Sequence, residues 1–405
     1  MKNILYVSMC LPYQAASHAG GKTVFFYMNR FAGENDIKVK VVCKVRESER
    51  GELLKQYDRY ELYPICMPTD KIRRLFAYAG SGWSKVNPLN RYGNTLTAYI
   101  YAKFYDMLSH LKEIGFRPDA IILEWTEMVL YVDKVKNLFP DAYIVASEHD
   151  VKFQSLYRKY ALEKNPVKRI YRYILFKNME ERELDALAKA DLVVVQSEKD
   201  KAILEDNGIP SDKQTVILPF YMNPASHWSG LGTCNIAMFG DMGREENYMS
   251  AIWFIENVFD YIPDKGIGFY IIGGRPDKKL LRYQSERIIV TGFVDDVFAY
   301  LDKCFCMVAP LQLGAGIKVK CLEAISYGMP LLANQVAIEG IDARDGEDFL
   351  FCEDAESFKN NVLKLYRDVD LQRSLSRHAI SYGEIRLDLD KSYEIYVGKL
   401  REGWS

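Results

Sequence analysis

Two parallel α/β sheets, each covered by helices on both faces, are the fold class this sequence predicts, and three observations predict it. Short runs of β-branched and other apolar residues alternate with longer amphipathic stretches, the rhythm of buried parallel strands joined by helical crossovers. The runs form two consecutive series separated by a stretch rich in Pro, Gly and Ser, Met222-Asn223-Pro224-Ala225-Ser226-His227-Trp228-Ser229-Gly230-Leu231-Gly232. The 405 residues exceed one ordinary core and suit two.

In the first series, Ile4, Leu5 and Val7 mark a strand over residues 3–7, and Val39, Val41 and Val42 mark the next over 38–43. Ile121-Ile122-Leu123, Ile144-Val145 and Leu192-Val193-Val194-Val195 predict strands over 120–123, 143–146 and 192–195, and Val216-Ile217-Leu218 closes the series at 216–218. In the second, Ile236 to Phe239 and Phe269 to Ile272 carry strands at 235–239 and 268–272. Ile288-Ile289-Val290, Phe305 to Val308, Leu331-Leu332 and Phe349-Leu350-Phe351 carry those at 288–290, 305–308, 330–333 and 349–351. Residues 1–222 and 235–385 are therefore expected as two Rossmann-like domains facing each other across a cleft, with ligands at the carboxyl ends of the strands.

Composition narrows the function. With 49% apolar, 27% charged and 13% aromatic residues the chain is globular, not disordered or low-complexity. Lys+Arg 53 against Asp+Glu 55 leaves a net charge of -2, so there is no global basic field for nucleic acid, and any polyanion site must be local. The eight cysteines form no C-x-x-C pair and read as buried thiols of a reducing compartment. The apolar start, Ile4 to Val7, is too short for a signal peptide or a spanning helix, and no 18-residue apolar run follows, so a soluble, cytoplasmic protein is expected.

Two segments of the first domain depart from neutrality. Residues 71–100 hold Lys71, Arg73, Arg74, Lys85 and Arg91 with no acid, interleaved with aromatics. Residues 151–180 hold eight basic residues against Glu163 and Glu180, with Tyr157, Tyr160, Tyr171 and Tyr173 among them. Such a mixture is either a solvated helix face or a peripheral contact with an anionic membrane surface.

The richest motif runs from Ala309 through Gly314-Ala315-Gly316-Ile317-Lys318-Val319-Lys320-Cys321-Leu322-Glu323 to Gly328-Met329-Pro330. A strand, a glycine loop and a helix start in that order form an anion site, because backbone amides are exposed, no Cβ blocks approach at Gly314 or Gly316, and the helix dipole favours negative charge. The dipole is worth only about 0.3 to 2 kcal/mol, so a diphosphate also calls on Lys318 and Lys320. If the helix starts at Gly316, Glu323 lies about 10 Å and nearly two turns along it, on the same face, where its carboxylate can accept hydrogen bonds from a ribose diol. Otherwise it is an ordinary surface glutamate. Lys318 and Lys320 lie about 200° apart on a wheel, which leaves one of them in a supporting place.

These residues resemble the donor-binding core of the family 4 retaining glycosyltransferases, which have the GT-B fold. The likeness rests on Gly-x-Gly-x-Lys-x-Lys-x-Leu-Glu-Ala, Gly328-Met329-Pro330 and Glu339-Gly340, and continues through Phe239-Gly240, Asn247, Ile272-Gly273-Gly274-Arg275 and Val290-Thr291-Gly292-Phe293-Val294. In the first domain Gly20-Gly21-Lys22, Glu148-His149-Asp150 and Gln196-Ser197-Glu198 also fit the pattern. The resemblance implies that Gly240, Gly314, Ala315, Gly316, Ile317, Lys318, Lys320, Glu323, Arg275, Phe293 and Val294 bind the donor, Phe293 and Val294 around the base. It also implies that His149 contacts the donor sugar near its anomeric carbon, with Lys318 on the departing diphosphate and Gly20, Gly21 and Lys22 forming a substrate loop. A helix over residues 386–405 that returns to the first domain, and transfer with retention, belong to the same implication.

Two departures stand out. Eight residues before Glu323 the family usually carries another glutamate, and Ala315 stands there, as in a subset with Gly-Ala-Gly. Where members often carry Arg and Lys after the first strand of the second domain, Asp241 and Glu246 stand here. Diphosphate charge is then met by Lys318, Lys320 and Arg275, with Arg244 or Lys22 as helpers.

Other chemistries fit poorly. Gly20-Gly21-Lys22-Thr23 lacks the first glycine of a P-loop, since Ala16 occupies it, and no G-x-G-x-x-G follows the first strand. No G-x-S-x-G elbow exists, His18, His110, His149, His227 and His378 show no metal-ligand spacing, and the D-x-D pairs at 368–370 and 388–390 fall in helical, solvated territory. The expected protein is a metal-independent glycosyltransferase without cofactor, using a nucleotide sugar and a glycan or lipid-linked acceptor. The alternatives are a nucleotide-sugar 2-epimerase of the same fold and a noncatalytic GT-B partner protein.

Overall fold

Every predicted run meets a strand in the computed structural model, which describes residues 1–14, 18–54, 59–68, 70, 87–89, 97–314 and 316–404. Ala315, Ala16 and all five basic residues of the segment 71–100 lie outside the described residues. The chain divides into two units, Met1–Phe220 with Leu389–Ser405, and Tyr221–Asp388.

The first unit runs β1 (Lys2–Ser8), α1 (Ala19–Phe31), β2 (Ile37–Val45), β3 (Tyr60–Cys66), α2 (Ala98–Glu113), β4 (Ala120–Glu124), α3 (Thr126–Val129) and α4 (Val132–Leu138). It continues with β5 (Tyr143–Ser147), α5 (Lys152–Ala161), α6 (Pro166–Lys189), β6 (Leu192–Val195), α7 (Glu198–Asp206) and β7 (Gln214–Val216). Among the described residues its seven strands are ordered β3-β2-β1-β4-β5-β6-β7, with every pairing parallel. β4 and β6 are buried at every position, as a sheet covered on both faces requires.

The second unit runs β8 (Asn235–Phe239), α8 (Glu245–Asn257), β9 (Gly268–Ile272), α9 (Lys278–Leu281), β10 (Ile288–Gly292), α10 (Phe298–Leu301) and β11 (Cys304–Ala309). After these come α11 (Val319–Tyr327), β12 (Leu331–Ala333), β13 (Leu350–Phe351), α12 (Ala355–Arg367) and α13 (Val369–Arg386). Its sheet order is β10-β9-β8-β11-β12-β13, again parallel. Strand order reverses at β1/β4 in one unit and at β8/β11 in the other, and ligands of open α/β sheets sit at such reversals.

The last helix, α14 (Leu389–Gly403), belongs to the first unit. Tyr27 donates to the Leu218 carbonyl at 2.7 Å, and Ser392 of α14 bonds Tyr27 at 2.7 Å while accepting the Leu218 amide at 2.8 Å. Phe31 packs its ring 5.2 Å from that of Tyr396.

Four expectations need correction. β3 was not foreseen, because Glu61 and Pro64 interrupt its apolar pattern; Pro64 is tolerated on an edge strand, where no further neighbour asks for its missing amide. β7 occupies Gln214–Val216 rather than 216–218. Its first two residues are polar yet buried, Gln214 donating to the Ile209 carbonyl. The stretch 222–232 is no free linker but packs on the second unit, with Trp228 bonding the Cys304 carbonyl at 2.9 Å. A Cβ on Gly230 would stand 2.4 Å from that same oxygen. Of the cysteines, Cys234 is exposed and Cys66 half-buried; the other six are buried, and all eight are free thiols.

Candidate functional site

In the second unit three loops converge at the carboxyl ends of β8, β9 and β11. Gly240 ends β8 with φ +150° and Gly273 ends β9 with φ +149°, and a Cβ on Gly273 would lie 1.7 Å from the Gly240 carbonyl oxygen. Only glycine permits this crossing. Asn247 of α8 donates to the Asp241 carbonyl at 2.9 Å and accepts from the Lys320 ammonium at 2.7 Å, tying the loop after β8 to the start of α11.

The loop after β11 turns at Gly314 (φ +138°) and Gly316 (φ +67°). No side chain caps α11, whose N-cap is Lys318. This leaves the helix start suited to an anion. Lys318 donates to the Gly316 carbonyl and lies 3.9 Å from the Glu339 carboxylate. Because Lys318 precedes the helix, the two lysines are not related by a helical wheel; each reaches a different wall of the same corner. Gly328 closes α11 in the left-handed conformation, φ +80°, as its place before Met329-Pro330 indicates.

Lys320 is a strongly perturbed cation of this corner. Burial above all, with the positive charges of Lys318 and Arg244, lowers its pKa to about 8 against the opposing pull of Cys321 and Glu246. An amine held below its ordinary range gains when an anion arrives. Arg275, a non-glycine residue at φ +55°, pairs with Asp241, and Arg244 pairs with Glu246. The two carboxylates that departed from the expected charge pattern are thus each matched to an arginine. Phe293 follows Gly292 at the end of β10 and is 78% exposed, an apolar ring left open to solvent.

Glu323 is 7% exposed, not a surface glutamate. The helix starts at Val319 instead of Gly316, so Glu323 lies one turn in, and its Oε1 accepts the Met222 amide at 3.2 Å. A carboxylate offers about four lone-pair positions, of which the Met222 amide takes one.

The first unit has its own constellation at β1/β4. His149 follows β5, and its Nδ1 accepts from the Gln196 amide at 3.0 Å, which puts the ring proton on Nε2, 2.9 Å from Glu124. The imidazole stacks on Trp125 with centroids 4.4 Å apart and planes 15° apart. Both ring nitrogens are engaged, so the ring is fixed in orientation and is not poised as a general base. Gly20 lies in the first turn of α1, and a Cβ there would stand 3.0 Å from Trp125 and 3.3 Å from His149 Nδ1. Gly21 donates its amide to His18, the cap of α1; Lys22 follows within the same turn. Both glycines are helical, and the missing side chain of Gly20 admits the aromatic shelf.

Sequence reasoning missed Glu124 and Trp125. Trp125 has φ +70°, a costly conformation for a bulky residue. Its position directly after an apolar strand run, at the sheet's reversal, was the available signal. Glu148, beside His149, is buried; it accepts from Thr126 at 2.6 Å, and burial and then the charge of Glu183 hold its carboxyl well above the usual range.

Comparison with known proteins accords with this geometry. Residues 233–368 match the family described as Glycosyl transferases group 1. Sucrose-phosphate synthase from Thermosynechococcus elongatus superposes with a TM-score of 0.74 at 13% identity over 99% of this chain and 98% of that one. The fold is GT-B. Anabaena Alr3699/HepE, solved in complex with UDP-glucose, shares this GT-B architecture with a TM-score of 0.67 at 12% identity over 99% and 100% of the two chains. WaaG, described as a glycosyltransferase involved in lipopolysaccharide biosynthesis, gives a TM-score of 0.63 at 15% identity over 96% and 99%. In sequence, an uncharacterized 44.6 kDa protein in the cps region of Klebsiella pneumoniae is 22% identical over 176 residues, 40% of this chain and less than half, 45%, of that relative. Among the described residues no helix is long and apolar enough to cross a membrane.

Proposed function

We propose that this protein transfers a sugar from a nucleoside diphosphate sugar to a hydroxyl of a glycan or lipid-linked acceptor in the cytoplasm, with retention and without a metal or cofactor. The observation that carries this is the corner where Gly240, Gly273 and the Gly314–Gly316 loop meet the uncapped start of α11, held together by Lys320 and Asn247. The diphosphate lies against that helix start with Lys318 and Lys320. The ribose lies toward Glu323, and the base lies at Phe293-Val294. The amines and backbone dipoles stabilise negative charge on the leaving nucleotide as the bond from the anomeric carbon to phosphate oxygen breaks. The acceptor oxygen forms the new bond on the same face, and its proton passes to the departing diphosphate. His149, held by Glu124 and Gln196, orients the donor sugar and transfers no proton.

Ala315, in place of the usual glutamate, favours a second reading, a noncatalytic nucleotide binder. Incubation with UDP- and GDP-sugars, with and without lipid or glycan acceptors, separates the possibilities. Acceptor-dependent nucleotide release supports transfer, acceptor-independent conversion of the sugar supports an epimerase, and binding without turnover supports the noncatalytic role.

A further inference from the structure

The geometry points to Glu339 as the resident counter-ion of Lys318, a carboxylate that competes with the nucleotide's diphosphate for that ammonium and hastens the departure of the spent nucleotide. This rests on the reading of the corner as a nucleoside diphosphate site.

Among the described residues three ion pairs lie at the corner. Arg275 pairs with Asp241 and Arg244 with Glu246, but the two arginine side chains are 75% and 62% exposed. Water and salt screen such pairs, which hold a cation only weakly. Lys318 and Glu339 differ. Their side chains are 11% and 10% exposed, with Nζ 3.9 Å from Oε2. A sheltered pair is screened far less, so of the three it is the one whose charges an incoming anion must rearrange.

The backbone brings Glu339 to this place. β12 ends at Ala333, and Asn334 stitches the loop after it to the loop after β11, donating to the Leu311 carbonyl at 2.8 Å and accepting the Ala337 amide at 3.1 Å. Ala337 and Ile338 are buried, which anchors the turn just before the carboxylate, and Gly340 leads the chain away in the left-handed conformation, φ +78°. From the other side Lys318 folds back over Gly314, where a Cβ would stand 2.9 Å from its Cε, and donates to the Gly316 carbonyl. The ammonium is thus turned onto its own loop, beside a carbonyl and a carboxylate.

An ammonium has three donors, but a diphosphate and a carboxylate gathered at one ammonium repel each other. Binding therefore costs the contact between Lys318 and Glu339, and the apparent affinity falls by the fraction of molecules in which the amine is released. The same carboxylate regains the amine as the nucleotide leaves, which shortens the nucleotide's stay.

The test is calorimetric titration of the full chain and of Glu339→Gln with UDP and with GDP, together with stopped-flow measurement of dissociation. Glu339→Gln is expected to bind nucleotide about tenfold tighter or more, through slower dissociation. Glu339→Ala should tighten binding likewise, whereas Glu339→Asp, which keeps the charge, stays near the parent. In a Lys318→Met background the gain from Glu339→Gln should shrink to less than about threefold, because the contested amine is gone. A merely structural role predicts the opposite sign, since a disturbed loop binds less. Variants that melt as the parent does yet bind nucleotide no tighter would overturn the proposal. So would a gain that persists in full without Lys318, or loss of UDP-sugar binding while UDP binds as before, the mark of a sugar contact. A parent that binds neither nucleotide would overturn the reading of the corner, and this inference with it.

Discussion

Replacing Lys320 by methionine tests the corner through two opposed effects. In the free protein this amine is held from 10.5 down to about 8, which amounts to about 3 kcal/mol of disfavoured charge at neutral pH. Methionine removes that penalty and keeps the aliphatic bulk, but forfeits the 2.7 Å bond to Asn247, worth about 1 kcal/mol. The unliganded variant is therefore expected to gain about 1 to 2 kcal/mol in urea unfolding. A charge-assisted contact to phosphate contributes about 1.5 to 3 kcal/mol, so calorimetric titration with UDP and GDP should show affinity lost by about tenfold to a hundredfold. Stability and ligand affinity thus move in opposite directions. A variant less stable than the parent that binds nucleotide equally well would refute the reasoning.

Three further outcomes follow from the same geometry. An anion beside Lys320 returns its pKa toward 10.5 from about 8, so nucleotide affinity should be flat below pH 8 and fall up to about tenfold per pH unit above it; titration calorimetry across that range checks the slope, which Lys320→Met should remove. Gly273→Ala would force a methyl into the Gly240 carbonyl at 1.7 Å and should prevent the second unit from folding, seen as insoluble expression or a lost unfolding transition. Glu183 accepts the amides of Lys152 and Phe153 at 2.8 Å each, yet burial raises its pKa to about 8. Its folded pKa exceeds its unfolded value, so the folded state holds the extra proton and stability should decline from about pH 5 to about pH 8; Glu183→Gln should flatten that decline in pH-dependent melts.

Much of the fold was legible because parallel strands buried on both faces are written as unbroken apolar runs. β6 is four such residues, all buried. Elements at the sheet edges were harder, since β3 carries Pro64 and β7 begins with the buried polar pair Gln214 and Thr215. Near the candidate site the glycines were visible, but their reasons were not. The clash at Gly273 arises from Gly240 on another strand, and the room Gly20 leaves is filled by Trp125 and His149 from elsewhere in the chain. Glu323 was read at the wrong depth in α11 because Lys318, not a serine or aspartate, occupies the N-cap and gives no start signal. The pairing of Asp241 with Arg275 was hidden for a similar reason, the partners being brought together only by adjacent strand ends.

The most direct measurement is a crystal structure of the full chain grown with UDP or GDP. The diphosphate should appear against the first turn of α11, within hydrogen-bond distance of the Lys318 or Lys320 ammonium, with the ribose hydroxyls on Glu323. Nucleotide bound at any other place, with the turn between Gly314 and Val319 unaltered, would contradict the account.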